Sequence, residues 1–280
     1  MTDADQRWVA VRVRPRGLWA RDAVADALFA LGSQGLQEEG DALLTQFPPG
    51  TDVDAIRAAL LAADPSADVS IAPAEPVDWT EGWKKLIRAH DLGALTVAPP
   101  WLADGLDAAR TIVIDPGMAF GTGDHPTTRG VLRLMQSEIR PGDFVADLGA
   151  GSAVLSIAAA KLGAARVIAI EFDPEAIGNA EENVRRNGVD DVVRVTQGDA
   201  HLLLPLVAPV RVILANIISS VLVSLLPAVS AALPTDGVAL LAGILREERE
   251  KMIDALSQYG LRVSNEDVED AWWSATVRRA

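Results

Sequence analysis

Hydrophobic and polar positions in the first 75 residues predict four strands and two helices. The strands are predicted over residues 8–13, 35–39, 42–47 and 68–72. Val24 and Leu28 recur on one face of a helix over residues 20–31, which Gly32 ends. Asp52 is placed to cap the second helix. The order strand–helix–strand–strand–helix–strand predicts a small α+β domain of ferredoxin-like type.

From Ile112 onward, apolar strand-like runs alternate with helical stretches, which is typical of an α/β fold with a doubly wound, mainly parallel, Rossmann-like sheet. The strands are predicted over residues 145–148, 167–170, 192–195, 212–215 and 238–241. The helices are predicted over residues 153–162, 174–187, 219–232 and 246–258. Two further strands, 261–268 and 272–278, have no helix between them, so we expect an antiparallel pair at the sheet edge.

Proline residues separate these two patterns. Pro73 and Pro76 mark the boundary, and a short helix over 79–88 and a strand over 92–97 follow it. We therefore expect three segments along the chain. They are an N-terminal domain over residues 1–75, a linker with a short helix over 76–105 and an α/β domain over 106–280.

Charge and composition exclude several classes of function. The chain carries 25 basic and 39 acidic residues, a net charge of −14, which argues against direct nucleic-acid binding. This charge suits a cationic partner and equally suits plain solubility. The absence of cysteine excludes disulfides and zinc–thiolate sites, and the three histidines lack metal-ligand spacing. We therefore expect no bound metal. No apolar run is long enough to span a membrane, so we expect a cytoplasmic protein.

A glycine-rich turn, Asp147-Leu148-Gly149-Ala150-Gly151, follows the first strand of the α/β sheet, where open α/β folds bind nucleotides. The glycines alone also fit an ordinary tight turn. Asp147 narrows the choice, because its carboxylate would repel the pyrophosphate of a dinucleotide at this position. S-adenosyl-L-methionine carries an ammonium and a sulfonium but no phosphate. The turn, with Asp147, Gly149 and Gly151, therefore favours this cofactor over NAD.

Two acidic residues follow the next two strands. Glu171 lies 24 positions after Asp147, and a carboxylate at that spacing accepts hydrogen bonds from both ribose hydroxyls. Asp173, directly before Pro174, is the better helix cap. Asp199 follows the third strand and has two interpretations, as a partner of the adenine amine or as an ordinary turn aspartate.

Two longer segments carry a family resemblance. They are residues 115–128, which read Asp-Pro-Gly-Met-Ala-Phe-Gly-Thr-Gly-Asp-His-Pro-Thr-Thr, and residues 214–218, which read Leu-Ala-Asn-Ile-Ile. Together with the glycine-rich turn they resemble the ribosomal protein L11 methyltransferase family, whose members methylate amino groups of a large-subunit ribosomal protein. The similarity extends to residues 78–84, 99–101, 156–159 and 243–245.

The resemblance implies roles for individual residues. Thr128 corresponds to a cofactor-contacting threonine, Gly149 to the first glycine of the cofactor loop, and Glu171 to the ribose-binding acid, which is usually aspartate. Asn216 corresponds to an active-site asparagine near the methyl group. Phe120 has two interpretations, as a wall of the cofactor pocket or as part of the core.

The resemblance also has consequences for the whole chain. It implies that residues 1–75 recognise the substrate, a ribosomal protein of the large-subunit stalk base, and that a flexible linker joins them to the methyltransferase domain. We expect a monomer. Ala153 departs from the family, which usually has glycine there, and its methyl group is tolerated if the residue has helical backbone angles.

Methyl transfer to nitrogen requires a neutral amine aligned with the carbon–sulfur bond. Burial lowers the pKa of an amine, and Asn216 can accept its N–H, so the reaction needs no strong base. We interpret His125 as fixing the loop before a helix rather than as a base. Other hypotheses remain open: a lysine methyltransferase of another protein, a small-amine methyltransferase, a cofactor-binding module without activity and, most remote, an NAD-dependent oxidoreductase.

Overall fold

The computed structural model describes residues 8–17, 20–33, 35–73, 87–115 and 123–280. The chain forms two compact units, Met1–Lys84 and Lys85–Ala280. Phe120 and most of the linker helix predicted over 79–88 lie outside the described residues, and the last two residues of that segment belong to no helix.

The N-terminal unit has the predicted order of elements. These are β1 (Val9–Arg14), α1 (Ala20–Ala30), β2 (Gln37–Glu39), β3 (Ala42–Phe47), α2 (Val53–Ala63) and β4 (Asp68–Pro73). The sheet is antiparallel in the order β2-β3-β1-β4. Asp52 accepts hydrogen bonds from the amides of Asp54 and Ala55, which confirms the predicted cap. The ferredoxin-like classification of this unit stays a prediction.

A small three-stranded sheet lies at the start of the second unit. It consists of β5 (His90–Asp91), β6 (Thr96–Ala98) and β7 (Thr111–Val113), with β6 antiparallel to β5 and parallel to β7. The single strand predicted over 92–97 is wrong, because Gly93 has a φ of +96° and turns the chain between β5 and β6.

The main sheet has seven strands and confirms the α/β prediction. Its strands are β8 (Phe144–Leu148), β9 (Arg166–Glu171), β10 (Val193–Gln197), β11 (Val212–Asn216), β12 (Val238–Leu245), β13 (Leu261–Glu269) and β14 (Trp272–Arg279). The order is β10-β9-β8-β11-β12-β14-β13. The first five of these are mutually parallel, and the β13–β14 hairpin joins β12 antiparallel, as predicted for the edge.

Helices cover both faces of this sheet. They are α3 (Pro126–Met135), α4 (Val154–Lys161), α5 (Pro174–Arg186), α6 (Ala200–Val207), α7 (Ser219–Ala232) and α8 (Arg249–Gln258). Helix α6 was not predicted from the sequence, since its leucines show no polar alternation and Pro205 lies inside it. Two apolar cores, one on each face, bury the sheet. Among the described residues, no helix has the length and apolar character that a membrane crossing requires.

The topology fixes where a ligand can bind. The chain order reverses between β8 and β11, which lie side by side in the sheet. In open α/β sheets, the crevice outside the carboxyl ends of the strands at such a point is the binding position. Asp147, Glu171 and Asn216 are at or near the carboxyl ends of β8, β9 and β11.

Candidate active site

The glycine-rich turn leaves β8 with two residues in the left-handed region, Gly149 with φ of +70° and Gly151 with φ of +51°. The amides of Gly149 and Ala150 both donate to the carbonyl of Ile170, at 2.8 and 3.0 Å. A Cβ atom at Gly149 would overlap the side chain of Ile217. Gly149 therefore serves both the backbone conformation and the close approach of the loop after β11.

Ala153 does not have the helical angles that the sequence analysis required of it. Its φ of +65° lies in the left-handed region, which explains why glycine suits this position. Its methyl group is completely buried in the core on one side of the sheet. Alanine in place of the family's usual glycine therefore strains the backbone locally at residue 153.

Asp147 lies under the turn and is almost completely buried. Its Oδ2 accepts a hydrogen bond from the hydroxyl of Ser156 at 2.7 Å, in the first turns of α4. Burial raises the pKa of Asp147 to about 7, against the lowering effect of the Ser156 hydrogen bonds. A nearby cation would favour the ionised form of this carboxyl group.

Glu171 faces the turn from the end of β9. Its Oε2 accepts from the amide of Gly151 at 2.7 Å and its Oε1 from the amide of Asp173 at 2.8 Å. Asp173 accepts from the amide of Glu175 and caps α5 with Pro174 in its first turn, as predicted. Each carboxylate oxygen of Glu171 has a second lone pair, so the side chain is positioned and can still accept from a ligand.

Asp199 is committed to the start of α6. Its Oδ1 accepts from the amide of His201 at 2.8 Å and lies 2.9 Å from the Nδ1 atom of that residue. These bonds lower the pKa of Asp199. These hydrogen bonds show that Asp199 caps α6. Adenine recognition, the other interpretation given for this residue, stays a prediction.

Phe172 is a residue that sequence reasoning missed. It directly follows Glu171 and is 75% exposed, more than any other Phe, Trp or Tyr among the described residues. The sequence could have indicated this residue, because an aromatic side chain directly follows the predicted ribose-binding acid at the end of a strand.

Thr128 and Asn216 meet at the centre of the site. Asn216 ends β11 and its Nδ2 donates to the hydroxyl of Thr128, in the first turn of α3, at 3.2 Å. Thr128 is completely buried. The Oδ1 atom of Asn216 is buried and has no hydrogen-bond partner within the described part of the chain. A buried acceptor of this kind is costly unless a ligand supplies a donor.

His125 caps α3, which confirms its interpretation as a loop-fixing residue. Its Nδ1 accepts from the amide of Thr127 and lies 2.8 Å from the hydroxyl of that residue. Burial, with the charge of Arg129, lowers the pKa of His125. The ring is therefore neutral at neutral pH, and its Nδ1 is occupied by the helix start.

A cavity of about 420 Å³ opens beside Asn216. Its wall is mainly apolar and includes His125, Asn216, Ile217, Ile218, Val221 and Trp272. The ring centroids of His125 and Trp272 lie 4.9 Å apart, edge to face at 67°. The described residues of the wall carry no acidic side chain and no lysine or arginine. Asn216 therefore borders a space that favours neutral groups, while its Oδ1 atom is itself buried.

Residues 20–280 match the family described as ribosomal protein L11 methyltransferase (PrmA). A relative of that name from Pelotomaculum thermopropionicum is 38% identical over 222 residues, covering 79% of this chain and 71% of its own. A second, from an Exiguobacterium species, is 37% identical and covers 76% of this chain and 69% of its own.

The chain belongs to the ribosomal protein L11 methyltransferase family. A crystal structure of the ribosomal protein L11 methylase from Lactobacillus delbrueckii subsp. bulgaricus agrees, with a TM-score of 0.61 and 30% identity over 69% of this chain and 99% of that chain. The protein is accordingly an S-adenosylmethionine-dependent methyltransferase.

Six of the eight residues predicted for the site of this L11 methyltransferase family member fall into two groups, whereas Asp199 caps α6 and Phe120 lies outside the described residues. The turn residues and Glu171 are joined by the hydrogen bond from Gly151, and Thr128 and Asn216 are joined by their own. Ile217 connects the groups, since it follows Asn216 and packs against Gly149. Among the described residues, no cluster of acidic or histidine side chains could hold a metal ion.

Proposed function

We propose that this protein transfers methyl groups from S-adenosylmethionine to amino groups of ribosomal protein L11, a protein of the large-subunit stalk base, in the cytoplasm. The observation that carries the proposal is the buried Oδ1 of Asn216, which has no partner among the described residues, on a residue that lines an apolar cavity. An acceptor amine supplies the missing N–H donor. The family to which the chain belongs is named for the protein substrate, ribosomal protein L11.

The residues around the turn fit the cofactor. Glu171 keeps lone pairs for the ribose hydroxyls, and the left-handed glycines let a ligand approach the backbone of the turn. Phe172 offers its exposed ring to the adenine, with Asp199 at the next strand end. Asp147 balances the cationic groups from beneath the turn, and we assign Phe120, in the segment before Thr128, to the same pocket.

The chemistry follows from this arrangement. S-adenosylmethionine supplies, when bound, a methyl group already activated by its sulfonium. Thr128 fixes the amide of Asn216, so that Oδ1 accepts an N–H of the amine and orients its lone pair. The apolar wall favours the neutral amine, whose proton leaves to water before the amine is enclosed. No residue has to act as a strong base, which agrees with the neutral, helix-capping His125.

We assign substrate recognition to residues 1–75 and methyl transfer to residues 106–280, joined by the linker over 76–105, in a chain that acts as a monomer. The separation into two compact units supports this division. The net charge of −14 suits a basic ribosomal protein.

The test is methyl transfer from labelled cofactor to purified L11, followed by mass spectrometry of the product. We expect label on amino groups of L11 and no label on an L11 sample whose amines have been chemically acetylated. Labelling of other proteins in a ribosomal extract, with L11 unlabelled, would assign the protein a different target. Tight cofactor binding with no transfer to any protein or small amine would identify a binding module instead.

A further inference from the structure

One edge of the small three-stranded sheet is formed by β7, which pairs with β6 alone among the described strands. On the β6 side, the amide of Ile114 donates to the carbonyl of Ala98 at 3.0 Å. The backbone groups of the residues before and after it, Val113 and Asp115, meet side chains of α5 instead. A strand edge carries unpaired donors and acceptors, and α5 covers this one.

Three asparagines take the place of a neighbouring strand. Asn179 and Asn183 lie in α5 and Asn187 caps its end, so their spacing of four residues puts them on one face. Oδ1 of Asn187 accepts from the amide of Val113 at 2.8 Å, and its Nδ2 donates to the carbonyl of Val113 at 2.7 Å. Oδ1 of Asn183 accepts from the amide of Asp115 at 3.0 Å, and Nδ2 of Asn179 lies 3.5 Å from the carbonyl of that residue.

Asn183 also makes contacts beyond this edge. Its side chain is completely buried, and its Nδ2 donates to the carbonyl of Ser152 and to Oδ1 of Asn179, both at 3.2 Å. Its Oδ1 accepts from Arg186 at 2.9 Å as well as from the amide of Asp115. Both donors and both lone pairs of the amide are therefore used. An uncharged side chain of this length with two donors and two acceptor lone pairs is found only in asparagine.

The carbonyl that Asn183 holds belongs to the end of the glycine-rich turn. Directly before Ser152, the amide of Gly151 donates to Glu171 at 2.7 Å. Directly after it, Ala153 has a left-handed φ of +65°. Asn183 therefore fixes the turn between the residue that is bonded to the predicted ribose-binding acid and a residue with a strained backbone.

The same amide holds the start of a second segment of the site. Asp115 is the first residue of the segment 115–128, which ends at Thr128. Arg186, which donates to Asn183, also lies 3.5 Å from the carboxylate of Asp115. One buried side chain thus joins two segments of the site that are 37 positions apart in the chain, from Asp115 to Ser152.

We infer that Asn183 is a positioning residue for S-adenosylmethionine, which sets the spacing between the glycine-rich turn and the start of the segment 115–128. Because Asn183 is completely buried, it acts through Ser152 and Asp115. It should therefore affect the affinity for the cofactor more than the methyl-transfer step. This inference rests on the cofactor site of the proposed function and does not depend on which protein accepts the methyl group.

The test is the isosteric change Asn183→Asp, with Asn187→Asp as the matched control. Both changes replace one NH2 group by an oxygen and keep the oxygen that accepts from the β7 side. Asn183→Asp removes the donor to Ser152, whereas Asn187→Asp removes the donors to Val113 and to the backbone carbonyl of Asn183. Thermal unfolding checks that each variant is folded. Asn183→Ala, which adds no charge, provides a second variant at this position.

Three measurements are made on the full chain. Calorimetry gives the Kd for S-adenosylmethionine, and steady-state kinetics with L11 give KM for the cofactor and kcat. Hydrogen–deuterium exchange in the absence of cofactor reports the protection of the amides over residues 149–153. Several of these amides donate hydrogen bonds within the site, so loosening of the turn should make them exchange faster.

We expect Asn183→Asp to raise the Kd and KM for S-adenosylmethionine about tenfold, because the carbonyl of Ser152 loses this donor. Exchange over residues 149–153 should become faster, while kcat at saturating cofactor stays within about threefold of the wild-type value. Asn183→Ala should behave in the same way. Asn187→Asp should lower Tm but leave the Kd and the exchange of the turn unchanged.

Wild-type Kd values and wild-type exchange over residues 149–153 in both Asn183 variants would overturn the inference. An equal rise of the Kd in Asn187→Asp would also overturn it, because the effect would then come from a general loosening of α5. Wild-type protein that binds S-adenosylmethionine but does not methylate L11 would overturn only the proposed function, since the Kd and the exchange are measured without L11.

Discussion

The side-chain nitrogen of Asn216 donates to the hydroxyl of Thr128 across 3.2 Å, although 88 positions separate the two residues in the chain. Asn216 ends β11, and Thr128 lies in the first turn of α3. In this arrangement Nδ2 faces Thr128, and Oδ1 is left without a hydrogen-bond partner among the described residues. The end of β11 and the start of α3 are therefore joined at the side chain that we propose contacts the acceptor amine.

Thr128→Val should remove this orientation while keeping the shape of the side chain. It leaves a buried Nδ2 donor unpaired, which should lower the free energy of unfolding by about 1–3 kcal/mol and kcat by about tenfold. Urea unfolding and steady-state methyl transfer measure the two effects. Thr128→Ser keeps the hydroxyl and should restore kcat. A Thr128→Val variant with wild-type kcat would show that the hydroxyl does not orient Asn216.

Glu171→Gln should weaken cofactor binding. The change keeps the length of the side chain but removes the charged acceptor, which should raise the Kd for S-adenosylmethionine about tenfold. Calorimetry measures this, and Glu175→Gln, a change of the same kind at an exposed position four residues later, should leave the Kd unchanged. Equal Kd values for wild-type protein and Glu171→Gln would remove the side chain from the ribose role.

The stability of the protein without cofactor should depend on the ionisation of Asp147. Burial raises the pKa of Asp147 to about 7, so between about pH 4 and pH 7 the folded chain holds a proton that the unfolded chain has released. The free energy of unfolding of the wild-type protein, relative to Asp147→Asn, should therefore fall as the pH rises through this window. The full change should reach up to about 4 kcal/mol. Denaturant titrations from about pH 5 to pH 8 measure most of it, and parallel profiles for the two proteins would contradict the assignment.

Because the backbone of Ala153 is left-handed, we expect the protein to tolerate glycine at this position and to be destabilised by a larger side chain. Ala153→Gly relieves strain but increases the entropy of the unfolded chain, so the free energy of unfolding should change by less than about 1 kcal/mol. Ala153→Val adds a branched side chain at a positive φ inside a filled core and should destabilise by more than about 2 kcal/mol. The cofactor Kd of Ala153→Gly should stay at the wild-type value. A large change in that Kd would mean that the methyl group affects the ligand.

The main sheet could be predicted because its strands are short apolar runs separated by helical stretches. Asp173 caps the helix assigned to it in this sheet, and Asp52 caps α2 of the N-terminal unit. Helix α6 could not be predicted, because Pro205 and its run of leucines conceal the helical period. The prediction of a single strand over 92–97 was wrong because Gly93, with its positive φ, turns the chain within that segment.

The candidate site was predictable only where a residue has a local signature. Glu171 and the turn follow from strand ends and spacing, and Asn216 followed from the family resemblance. Trp272, which lines the cavity beside Asn216, has no such signature, because its place there depends on a contact with His125, which lies 147 positions earlier in the chain. The unpaired Oδ1 of Asn216 likewise follows from three-dimensional packing and from no pattern in the sequence.

The most direct test of the central claim is single-turnover methyl transfer to L11 by Asn216→Ala, with the cofactor Kd measured on the same sample. If Oδ1 of Asn216 orients the acceptor amine, the transfer rate should fall about a hundredfold or more while the cofactor Kd stays within about threefold of the wild-type value. A transfer rate close to that of the wild-type protein, or a loss of rate matched by an equal loss of cofactor affinity, would contradict the account.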